Sequence, residues 1–181
     1  MFGLKTTSTE RAAVGVFARD PDLIATYLGV TETTTPTAVW STDLGFADVD
    51  DEQAAIAWSA AAPLRPRPVR LALRDPAADW SAGRCGPNPA LDALFETADV
   101  LLTPTTPGPP HGHDGPGERI NTALTWAFNL SGHPAISVPA GFDADGLPIG
   151  LQAVARHGRE VDLVAVARSV GKVEMPPDRV F

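Results

Sequence analysis

The 181-residue chain has a single cysteine, Cys85, so it can form no disulfide of its own, and nothing in its thiol content points to an oxidising compartment. No apolar run reaches the length of a membrane span, and Met1–Lys5 lacks the charged-then-apolar pattern of a signal peptide. Positive charge is scarce. Fourteen Lys and Arg stand against 22 Asp and Glu, and the net charge of -8 repels phosphate backbones and acidic lipid surfaces. Nucleic acid and membrane are therefore not expected as partners, no cofactor is expected, and the expected location is the cytoplasm. Repeats are lacking too: 18 prolines and 16 glycines imply many turns but follow no collagen-like period. What remains, 44% hydrophobic and 20% charged, is the composition of a globular protein long enough to bury one sizeable core as a single domain.

Strand-like and helix-like segments alternate along the chain. Asp20-Pro21 opens a short helix that Gly29 closes, and residues 37–41 read as a strand. Asp50 caps an alanine-rich helix to about Ala62, which Pro63 ends. Residues 63–68 (PLRPRP) form a stiff connector with solvated arginines at 65 and 67, and Arg70 follows; 69–73 (VRLAL) reads as a further strand and 74–89 as an irregular loop. Asn88-Pro89 opens a third helix with Leu91, Leu94 and Phe95 on one face. The continuous apolar run from Asp99 to Thr103 reads as a buried strand, followed by a Pro/Gly/His loop over 104–117. An amphipathic helix is expected from Glu118 to about Leu130, turning Ile120, Leu124, Ala127 and Phe128 inward. Two strands, 135–139 and 149–155, flank an Asp-Ala-Asp-Gly turn, a helix spans 160–170, and the tail 174–181 is expected to be loosely held. This alternation predicts an α/β fold with a mixed β-sheet flanked by helices.

From Asp99 to Gln152 the chain reads DVLLTPTTPGPP, then NLSGHPAISVPAGF, then GLPIGLQAV. This order of strand, proline-rich loop, helix, Asn-x-x-Gly-x-Pro turn and two strands resembles the C-terminal region of the amidase signature family, serine hydrolases that cleave amides with a Ser–Ser–Lys triad. Phe2-Gly3-Leu4-Lys5-Thr6 is similar to that family's Gly-Leu-Lys-Pro-Thr segment, and Ala18-Arg19-Asp20 with its helix is similar to a later family segment. The chain is shortened between these two, and again between Ala62 and Asn88. The resemblance implies a reduced amidase-signature-like fold, a single truncated domain over 1–181. It does not carry over the triad. The glycine-serine signature and bridging serine have no counterpart, and the only two lysines, Lys5 and Lys172, do not match the catalytic position.

The resemblance also implies a small-molecule pocket edged by the loop carrying Thr103, Thr105 and Thr106 and by the helix carrying Trp126, Phe128 and Asn129. A proline-stiffened loop after a strand suits that role, since it is ordered at little entropic cost. The competing reading makes Trp126 and Phe128 ordinary core residues. His111, His113 and Asp114, with Glu118 nearby, are the one cluster with metal-ligand chemistry, but they sit in a Gly/Pro loop that fixes none of them, so no metal site is expected. Ser131 and His133 invite a hydrolase reading, yet no carboxylate orients the histidine, and the family places a helix-ending turn here with Gly132 at positive φ. Cys85 beside Arg84 lacks a neighbouring base and reads as a plain thiol.

Three functions stay open. The chain is one part of a split amide hydrolase whose Ser–Ser–Lys comes from a partner; or a repurposed pseudo-amidase that binds a small molecule and promotes a non-hydrolytic step such as cyclisation or isomerisation; or a non-catalytic interaction protein. The alanine-rich helix with Ile56 and Trp58 would pack on the missing half, so self-association or a companion polypeptide is expected.

Overall fold

The computed structural model describes residues 1–5, 15–115, 117, 121–171 and 173. Among them lies one seven-stranded mixed sheet in the order β2-β1-β6-β7-β5-β3-β4. Its strands are β1 (Phe2–Lys5), β2 (Gly15–Ala18), β3 (Ala38–Trp40), β4 (Arg67–Pro68), β5 (Val100–Pro104), β6 (Ala135–Phe142) and β7 (Pro148–Ala155). The helices are α1 (Pro21–Leu28), α2 (Asp51–Ala61), α3 (Ala77–Ser81), α4 (Pro89–Leu94), α5 (Ala123–Ser131) and α6 (Glu160–Val170). The expected α/β class with a mixed sheet is the observed one: β3 pairs parallel with β4 and β5, and the remaining pairs are antiparallel.

Local chemistry accounts for the helix ends. Asp20 accepts from the Asp22 N–H at 2.9 Å, Pro21 starts α1, and Gly29 ends it at φ 68°. Asn88 Oδ1 accepts from the N–H groups of Ala90 and Leu91 to open α4, which is shorter than its apolar pattern suggests and ends at Leu94. Helix α5 runs from Ala123 to Ser131; Glu118 and Ile120, where the sequence reading begins this helix, lie outside the described residues, as do Lys172 and the 174–181 tail.

Three segments depart from the sequence reading. The 63–68 connector ends in β4, a two-residue edge strand beside β3. Residues 69–73 do not form a strand; they are tied by single bonds, Val69 N–H to Trp40 O at 2.8 Å and Leu73 N–H to Leu44 O at 3.0 Å. The 74–89 loop contains α3, whose Trp80 stacks on Trp126 of α5 with ring centroids 4.9 Å apart. Each deviation comes from a contact distant in sequence, which local periodicity does not report.

Side-chain alternation across the strands builds two cores. One sheet face carries Phe2, Leu4, Ile136, Val138, Leu151 and Leu102 against α1, α2 and α6. The other carries Val39, Leu101, Ala135 and Val154 against Leu91, Phe95, Leu124 and Phe128. The extended segment before β3 is pinned to α6 through Asp162, which is buried. Its carboxylate accepts from Thr34 Oγ1 at 2.8 Å and from both Nε and Nη2 of Arg159, at 2.8 and 3.0 Å. The hydrogen bond to Asp162, then its charge, raises the Arg159 pKa further above its ordinary value. Because the Arg159 side chain is 44% exposed and can rehydrate, Asp162→Ala is expected to destabilise by only about 1–2 kcal/mol. Urea melts that differ by less than the experimental error would show that the Thr34 tether carries no load.

Candidate functional site

The candidate site follows from sheet register. Gly3 pairs with Phe17, Gly3 with Ser137, Ser137 with Gln152, and Gln152 with Thr103. Directly opposed residues share a face, so Phe17, Gly3, Ser137, Gln152 and Thr103 form one row across five strands. Helix α5 covers the Thr103 and Gln152 end of this row: Leu124 O accepts from Gln152 Nε2 at 3.2 Å. Thr125, Phe128 and Asn129, one helical face at i, i+3 and i+4, then border an open cleft of about 620 Å³. Its floor is Gly3, Ser137 and Gln152, and Thr105, Met1 and Phe17 complete its rim. No Asp, Glu, His, Lys or Arg side chain is among the described residues that line it.

Two glycines give the floor its shape. A Cβ on Gly3 would stand 2.8 Å from Phe17 Cε1, so the bare Gly3 lets the exposed Phe17 ring lie over the strand. A Cβ on Gly150 would meet Thr105 Oγ1 at 2.6 Å and Ser137 Oγ at 2.8 Å, in the space these two hydroxyls use to bond one another at 2.8 Å. The Thr105 N–H donates to Gly150 O at 2.9 Å and continues the β5–β7 ladder into the proline loop.

Of the six residues expected at a pocket, the structure brings Thr105, Phe128 and Asn129 to this cleft. Thr103 lies beneath it, fully buried, donating to Pro104 O at 2.5 Å. Trp126 turns to the other side of α5 and stacks on Trp80, and Thr106 is not among the lining residues. Both readings of the aromatic pair thus apply to Phe128, which is 1% exposed in the second core and also forms cleft wall. Ser137, Gln152 and Thr125 escaped sequence reasoning. The available signal was polarity inside buried strands: a serine in AISVP and an amide in GLQAV are costly there unless partnered.

The other candidates are placed as follows. His111, His113 and Asp114 are exposed, and the His111 ring nitrogen Nδ1 lies 2.9 Å from Gly112 O. Among the described residues no three His, Cys, Asp or Glu side chains gather in a metal-binding group. Ser131 and His133 do meet, Oγ to Nδ1 at 2.9 Å, and both are buried at the C-terminal end of α5. Gly132 between them has φ 76°, the left-handed helix end expected there. Two tilted rings lie against His133, with the Phe95 centroid at 5.2 Å and the His157 centroid at 4.2 Å. A second cavity, about 430 Å³, is lined by Cys85, Arg74, Arg84 and Ser131 among others. Its two arginines both bind Asp79, which satisfies Arg84 Nε at 2.7 Å. None of the described helices is long and apolar enough to cross a membrane.

This chain has relatives among known proteins. The Amidase family model matches residues 88–164. A glutamyl-tRNA(Gln) amidotransferase subunit from Prochlorococcus marinus is 48% identical over 81 residues, 42% of this chain and 17% of that protein. The putative amidase AmiA2 of Mycobacterium bovis is 40% identical over 91 residues, 45% of this chain and 19% of that protein. The chain therefore spans about a fifth of the length of these curated relatives. Among solved structures, 6-aminohexanoate cyclic dimer hydrolase superposes with a TM-score of 0.65 at 22% identity, covering 93% of this chain and 59% of that one. A bacterial aryl acylamidase of the amidase signature family gives 0.61 at 18% identity, covering 75% and 43%. These two likenesses establish fold alone, whereas the sequence match establishes descent. Its segment 88–164 thus belongs to the Amidase family, and its mixed sheet has the fold of amidase signature structures, of which the chain covers a part.

Proposed function

We propose that the chain supplies the ligand-side wall of an amide-processing site whose nucleophile and base come from a partner polypeptide. The observation that carries this reading is the cleft itself. It is lined by hydroxyl, amide and apolar groups with no described ionisable side chain, and its rim residues Met1 and Phe17 are 73% and 76% exposed. Such a rim is what a missing companion would cover. By name the Prochlorococcus relative is one subunit of an amidotransferase, which supports a partnered arrangement. In this reading Thr105, Phe128 and Asn129 position the small molecule and Thr103 supports them from beneath, while Thr106 and Trp126 do not reach it. The 181 residues act as one unit in the cytoplasm, and the exposed rim drives association with a partner or a second copy.

The test is complementation. The chain alone is expected to leave simple amides intact, and hydrolysis is expected on mixing with a polypeptide that carries the glycine-serine signature and lysine. Hydrolysis by the chain alone would overturn the partnered mechanism, and the Ser131→Ala and His133→Ala variants would show whether that buried pair supplies it.

A second reading has its own support. Gln152 is 4% exposed with its amide anchored to α5 and β5 entirely within this chain, so part of the cleft is preorganised without a partner. On that reading the chain binds a small molecule by itself and promotes a non-hydrolytic step, such as cyclisation or isomerisation. Ligand binding by the isolated chain, together with resistance to serine-directed covalent probes, separates it from the first.

A further inference from the structure

The hydrogen-bond inventory of the cleft floor defines a ligand chemistry. Leu124 O can only accept, so the Gln152 amide must turn Nε2 toward it, and this fixes which way the amide points. Thr103 Oγ1 donates its proton to Pro104 O and is left to accept, at 3.4 Å, from the same Nε2. Both hydrogens of the Gln152 amide are therefore committed, while no described residue donates to its Oε1, on a side chain that is 4% exposed and lines the cleft.

The next strand offers the opposite polarity. Ser137 stands directly across from Gln152 and shares a hydrogen bond with Thr105. Two hydroxyls own two protons and their mutual bond uses one, so the pair has a proton left to donate. Cross-strand neighbours hold their Cβ atoms about 4.5–5.5 Å apart, so an acceptor and a donor stand side by side on the floor. Apolar walls, Phe128 and Phe17, rise around them. A charged ligand would lose its hydration here with no described side chain of opposite charge to replace it.

Resting on the pocket reading above, we infer that the cleft selects an uncharged cis-amide, a lactam or cyclic imide, with its N–H donated to Gln152 Oε1 and its carbonyl accepting from the Ser137–Thr105 pair. A cis-amide presents N–H and C=O on one edge and satisfies both groups together. An open-chain secondary amide is trans, presents them on opposite edges, and satisfies one at most.

Chemical deletion on the ligand tests this without altering the fold. Binding of 2-piperidone, 1-methyl-2-piperidone, N-methylacetamide and glutarate to the intact chain is measured by ligand-observed NMR titration. The expected result is 2-piperidone tightest, about tenfold tighter than its N-methyl derivative, because methylation leaves Gln152 Oε1 unpaired. N-methylacetamide and glutarate are expected to be weaker still. In the Ser137→Ala/Thr105→Val variant, 2-piperidone should weaken while the gap between it and the N-methyl ring persists. Equal affinities for the two rings on the unaltered chain would overturn the inference and leave the pocket reading standing. No binding of any probe at millimolar concentration would overturn both.

Discussion

Phe128→Ala is expected to destabilise the chain by about 3–5 kcal/mol, the range for deleting a buried aromatic ring, and to remove one wall of the cleft. The side chain is 1% exposed and belongs to the core formed by Leu91, Phe95, Leu101, Leu124 and Val154. Its removal leaves a void that the flanking helix and sheet are too rigidly hydrogen-bonded to close: Gln152 ties α5 to β7 through Leu124 O, one turn away. For a chain of this size the loss corresponds to a fall in Tm on the order of 10 °C. Phe128→Leu, which refills most of the space, should recover more than half of it. Thermal unfolding of the two variants makes the comparison, and a loss below about 1 kcal/mol for the alanine variant would mean that Phe128 does not fill the core as described.

Gly45→Ala should cost nearly as much by a different route. Gly45 has φ 85°, and a Cβ there would stand 2.3 Å from Leu71 O and 2.8 Å from Ala72 Cα, which are backbone atoms with no rotamer to yield. The preceding Leu44, itself at φ 56° and fully buried, already holds this turn under backbone strain. The turn is stitched by Asp43 Oδ1, which accepts from the Gly45 N–H at 2.8 Å, and by the Leu73 N–H donating to Leu44 O at 3.0 Å. Left-handed backbone with a side chain adds about 1–2 kcal/mol, and displacing residues 71–72 adds about 1–3 kcal/mol. Gly86→Ala is the control: nothing lies within 4 Å of its added Cβ and its φ is not positive. Chemical denaturation should find the control within about 0.5 kcal/mol of the parent and Gly45→Ala at about 2–5 kcal/mol below it. If the two variants unfold together, residues 69–73 are not held against the turn.

The contrast between these two positions shows where legibility in the sequence ends. Phe128 was readable because it falls on an apolar helical stripe in a segment with a family resemblance. Gly45 was not, since its constraint comes from Leu71, a residue whose own segment reads as a strand and is instead an extended strap. The same limit governs the cleft. Thr105, Phe128 and Asn129 were within reach of sequence because they sit on the expected loop and helix. Ser137 and Gln152 become neighbours only when β6 and β7 pair in a particular register, and a shift of one residue between the strands would leave the two on opposite faces.

By itself the sequence determined the local events: Asp20 and Asn88 as helix caps, Gly29 and Gly132 as helix ends, the buried run into β5, and the likeness to amidases from Asp99 to Gln152. Each depends on a few residues and on backbone preferences that act over one or two turns. Tertiary structure alone decided that β1 and β2 extend the sheet at its far edge, that Trp126 stacks on Trp80 while Phe128 lines the cleft, and that the Gln152 amide is clamped by its nitrogen. Those outcomes depend on strand register and on partners tens of residues away, and a one-dimensional pattern contains the candidates for such pairings without the energies that choose among them.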